Sequence, residues 1–102
     1  MIVAEADLVA AVTRDRAAGK RIGLITLSFD LLKIGDVRAV QAAAEQSDRL
    51  VAVLVDDASP HVITTADRAE IVDSLRGVDY VIVCPRARTD ALAALVMPDV
   101  RA

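Results

Sequence analysis

A chain of 102 residues makes a single domain with little room for a second core. Its hydrophobic fraction is 55% but its aromatic fraction only 2%, so Ala, Val, Leu and Ile must build the core, with Phe29 and Tyr80 the only large rings. The net charge of −3, without a basic block or interleaved aromatics, argues against nucleic acid or an anionic membrane as partner.

In chain order, AEADLVAAVTRDRAA at 4–18 gathers Leu8, Val9, Ala11 and Val12 on one face and Arg14, Asp15 and Arg16 around the other. That predicts an amphipathic helix, which Gly19 can end. RIGLITL at 21–27 is apolar almost throughout and predicts a strand covered on both faces, as in a parallel sheet. A polar turn then leads to a helix over DVRAVQAAAEQ at 36–46, with Val37, Val40, Ala43 and Ala44 facing inward. RLVAVLVDD at 49–57 is a second buried strand ending in Asp56 and Asp57, and the loop ASPHVITT follows. Thr64 and Asp67 have capping-box spacing at the start of ADRAEIVDSLRG, a helix for Gly77 to terminate. VDYVIVCP is a third strand stopped by Pro85, Thr89 is placed to cap a short helix over TDALAALVM, and PDVRA ends the sequence.

Strands and helices alternate throughout, which predicts the α/β class: a Rossmann-like three-layer α/β/α unit. Its small parallel sheet has three main strands and room for a short fourth. The expected single domain covers 1–102, with an N-terminal helix at 1–19 and the core at 20–102. The N-terminus lacks the basic start of a signal peptide, and no apolar stretch reaches membrane-spanning length. The single cysteine, Cys84, cannot form an internal disulfide and fits a reducing compartment, so the expected location is the cytoplasm. Cys84 closes an apolar run and reads as a small buried hydrophobe, although Arg86 and Arg88 nearby would favour a reactive thiolate. The excess of aliphatic residues suggests apolar surface covered by another chain.

Five stretches carry a resemblance: TLSFDLLKIGDVRAV at 26–40, LVDD at 54–57, DRAEIV at 67–72, VDYVIV at 78–83 and PDV at 98–100. Together they resemble the cytidylyltransferase-like nucleotidyltransferases of the HxGH superfamily, whose first strand runs into a pattern like TNGCFDLLHxGHVRLL. The similarity is greatest to the small branch with glycerol-3-phosphate cytidylyltransferase and the nucleotidyl-transfer domain of ADP-heptose synthesis. It extends over residues 20–100. The resemblance implies transfer of CMP or AMP from a nucleoside triphosphate to a small phosphorylated alcohol or sugar. In such enzymes two histidines meet the triphosphate at a helix N-terminus, where amides and dipole favour anions. Lys33 and Asp36 stand at those two positions here, with Gly35 kept between them.

Lysine still offers a point charge to phosphate. Asp36 is expected to act as an N-cap, filling the anion slot from within and repelling a phosphate. Leu27 and Ser28 replace the family's Gly and Cys, the loop after the second strand has no lysine, and Ala102 precedes the family's second triphosphate motif. The resemblance makes Phe29, Lys33, Gly35 and Arg68 the candidate nucleotide contacts. No residue is assigned as catalytic, Lys33 and Asp36 being only the degenerate positions.

Each candidate has a plainer reading. Phe29 can be a core plug, Lys33 a solvated turn residue, and Arg68 a contact that fixes its helix on the sheet. Asp30 suits turn amides. Asp56 and Asp57 are solvated strand-end acids unless a bound nucleotide brings Mg²⁺, the sole cofactor expected. His61 has no metal-spaced partner and reads as an exposed loop residue.

Three functions follow. One is an inactive relative, a pseudoenzyme serving as a binding or assembly module. Its homodimer or partner protein would cover the edge that RIGLITL leaves open. The second is an active nucleotidyltransferase completed by another subunit. The third is a sensor that binds CTP or ATP weakly without turnover.

Overall fold

The computed structural model describes residues 1–27, 33–56 and 64–102. Strand and helix alternate as α1 (Glu5–Ala17), β1 (Ile22–Leu27), α2 (Ile34–Glu45), β2 (Arg49–Val55), α3 (Thr65–Asp73), β3 (Tyr80–Cys84), α4 (Thr89–Val96) and β4 (Val100–Arg101), with a 3₁₀ turn at Arg86–Arg88. The strands are parallel and lie in the order β3-β2-β1-β4. This is the expected α/β Rossmann-like fold.

Successive strand residues face opposite ways, and here both ways lead to helices. Leu24, Val53 and Ile82 point toward α1 and α4, where Leu8, Val12 and Leu92 complete one core layer. Ile25, Ala52 and Val81 point toward α2 and α3, meeting Val40, Ala43, Ala69 and Val72. That two-sided cover explains the near-continuous apolar runs of β1 and β2. Gly23 makes room for α2's exit: a Cβ there would lie 2.6 Å from the Ser47 Oγ.

Three aspartates tie the N-terminal ends of the strands, the foot of the sheet. Asp48, Asp79 and Asp99 each stand at or next to the start of a strand, and each carboxylate accepts a backbone N–H from a neighbouring strand start. The donors are Arg21, Leu50 and Ile22 respectively, each at 2.8 Å. Amides at strand starts need partners, and a short acid supplies one locally.

The edges differ from expectation. The foot of β1 is not open, because β4 pairs with it at Gly23 and Leu24. The Asp99 amide donates to the Ile22 carbonyl and the Ala102 amide to the Leu24 carbonyl. Peptide groups on a strand alternate in direction, so those of Thr26 face the same edge one step beyond β4. The outer edge of β3 is covered at its foot by residues 1–3, where Ile2 bridges Val81 and the Val3 amide donates to the Val81 carbonyl at 2.9 Å.

Helix ends bring two more corrections. Gly19 follows α1 with φ +81°, as expected, but α3 stops at Asp73, short of Gly77. Its last turn loosens where the Ser74 hydroxyl donates to the Ile71 carbonyl. Gly77 then turns the chain with φ +93°, so close to α2 that a Cβ would lie 2.7 Å from that of Ala44. Thr89 does not cap α4; its hydroxyl donates to the Arg86 carbonyl and closes the 3₁₀ turn. At the other end of α4, the Arg16 guanidinium donates to the Val96 and Met97 carbonyls at 2.7 Å each.

Candidate functional site

Ligands of open parallel α/β sheets bind beyond the carboxyl ends of the strands. At that rim lie the end of β2, the first turn of α2 and the first turn of α3.

The first turn of α2 is built by Lys33, Gly35 and Asp36. Lys33 is the N-cap, extended at φ −103° and ψ 165°. Asp36 is therefore not the N-cap but the third helical residue, and its Oδ2 accepts the Lys33 amide at 2.9 Å. This is one arm of a capping box. The other arm needs an acceptor on the N-cap side chain, and a lysine has none. The positive end of the helix dipole thus already faces a carboxylate of its own chain, which occupies one of the orphan amides. The Lys33 side chain is exposed and bonds to nothing among the described residues.

Among the described residues nothing requires Gly35 to be glycine. It lacks a positive φ, and a Cβ built on it would meet none of them within 4 Å. Ile34 beside it is also exposed.

The first turn of α3 is more tightly organised. The Thr64 hydroxyl accepts the Asp67 amide at 3.2 Å, as the capping-box spacing predicts. Arg68 is buried, only 4% exposed, and its Nη2 donates to the Thr65 hydroxyl at 3.2 Å. That hydroxyl donates in turn to Asp56 Oδ1 at 3.0 Å. A buried arginine therefore fixes the start of α3 to the end of β2 through a threonine. Sequence reasoning passed over Thr65; the available signal was its i, i+3 relation to Arg68 on one helix face.

The candidates thus fall into two groups. Lys33, Gly35 and Asp36 form one, while Asp56, Thr65 and Arg68 form the other. Phe29, Asp30, Asp57 and His61 lie outside the described residues. Among the described residues no three His, Cys, Asp or Glu side chains come together as metal ligands, and no helix is long and apolar enough to cross a membrane.

Cys84 takes its plainer reading. Burial pushes its thiol above the ordinary range, and the Glu5 carboxylate adds to the shift. Arg88 pulls the other way, but its guanidinium is ion-paired with Glu5.

Comparison with known proteins bears on the fold and the sequence similarity. No protein-family model matches the chain. Curated relatives include the bifunctional protein HldE of Halorhodospira halophila, 36% identical over 106 residues that take in 96% of this chain and 22% of the relative. HldE of Pseudomonas fluorescens strain SBW25 is 35% identical, over 92% of this chain and 22% of the relative. The chain thus spans about a fifth of the length of these relatives. Among solved structures, the lipopolysaccharide core biosynthesis protein of Thermoplasma volcanium shares the fold, with a TM-score of 0.73. It is 21% identical, over 81% of this chain and 73% of that protein. Sequence and fold together fit a cytidylyltransferase-like nucleotidyltransferase domain, similar in sequence to one segment of HldE.

Proposed function

We propose that this chain is a nucleotidyltransferase-like module that has lost nucleotidyl transfer and serves in binding or assembly. The observation that carries the reading is the Asp36 carboxylate on the Lys33 amide. Phosphates bind helix N-termini through free amides and the dipole. Here a triphosphate would have to displace an internal carboxylate and then remain near its charge. At about 4 Å that repulsion is on the order of 1–4 kcal/mol, a loss of roughly tenfold to a thousandfold. The engagement of Arg68 with Thr65 supports the same reading, since the arginine carried over from the family holds two elements together.

Assembly would proceed through a second copy or a partner protein. Sedimentation equilibrium tests the homodimer: a mass of two chains is expected, and a monomer at high protein concentration would leave only the partner.

The decisive test of lost transfer is calorimetric titration with CTP and with ATP in the presence of Mg²⁺, with Asp36→His alongside. No heat is expected from the native chain up to millimolar nucleotide. Micromolar binding would overturn the proposal.

The unexplained Gly35 favours a second reading, weak binding of CTP or ATP without turnover. It predicts saturable heat without pyrophosphate. Pyrophosphate release would instead favour transfer of CMP or AMP to a small phosphorylated alcohol or sugar, at a site completed by another subunit.

A further inference from the structure

We draw no further inference here: the strongest candidate, the depression of about 340 Å³ at the foot of the sheet lined by Arg16, Gly19, Lys20, Arg21 and Asp99, has its Arg16 guanidinium on the Val96 and Met97 carbonyls and its Asp99 carboxylate on the Ile22 amide, and nothing in the structure shows what ligand its exposed Lys20 and Arg21 would meet.

Discussion

A carboxylate at the third position of a helix can stabilise the helix and can guard it against anions; Asp36 makes the hydrogen bond that serves the first role, and the proposed function gives it the second. Two substitutions separate its structural role from the history of the turn. Asp36→Ala removes the bond to Lys33 and a favourable dipole contact, and should cost about 0.5–1 kcal/mol of stability. Gly35→Ala should do the reverse. Its Cβ meets nothing among the described residues, and a helical alanine gains up to about 1 kcal/mol over glycine. Thermal melting of the two variants checks both signs. A destabilised Gly35→Ala would mean that the glycine has a structural task in the turn. That Lys33 and Asp36 stand at the start of α2 was legible in the sequence. Their positions within its first turn were not, because the start of α2 depends on which amide the aspartate reaches.

At the scale of elements, the aspartates at the foot of the sheet fix how the strands meet. Asp79 holds the Leu50 amide from across the sheet, so Asp79→Ala should cost about 1–3 kcal/mol by leaving a half-buried amide without its acceptor. Asp79→Asn, which keeps a carbonyl oxygen, should recover part of that loss. Urea unfolding of the two variants measures the difference, and equal losses would argue against the bond as the cause. The acids were visible in the sequence as SDRL, VDYV and PDVR. Their partners were not visible, because each lies on a different strand and register is a non-local property. Local chemistry misled at Thr89, whose hydroxyl turned back to the 3₁₀ turn. It succeeded at Thr64 and Gly19, where the cap and the left-handed glycine act within a single turn of chain.

For the whole molecule, the order of elements and the two-sided core follow from apolar runs that only a covered parallel sheet can accommodate. The two-residue β4 was harder to read, since Val100 and Arg101 carry no strand pattern of their own. The covered core also sets a pH dependence. Burial raises the Cys84 thiol, while burial and then the hydrogen bond to Asp15 raise the Tyr80 phenol. Both groups favour their neutral forms when folded. Their stabilising contribution is present below the ordinary values of 9.0 and 10.0 and is lost as pH rises through the folded values. Melting temperature should therefore fall from about pH 9 upward, and less steeply in Tyr80→Phe and Cys84→Ala. Identical slopes in all three proteins would assign the fall to other groups.

The proposed loss of phosphate binding at the start of α2 is tested most directly by calorimetric titration with CTP and with ATP in the presence of Mg²⁺, comparing the native chain with Asp36→His. A self-capped helix predicts no heat from the native chain up to millimolar nucleotide and measurable binding once the carboxylate is gone. Micromolar affinity in the native chain, undiminished by its Asp36, would contradict the account.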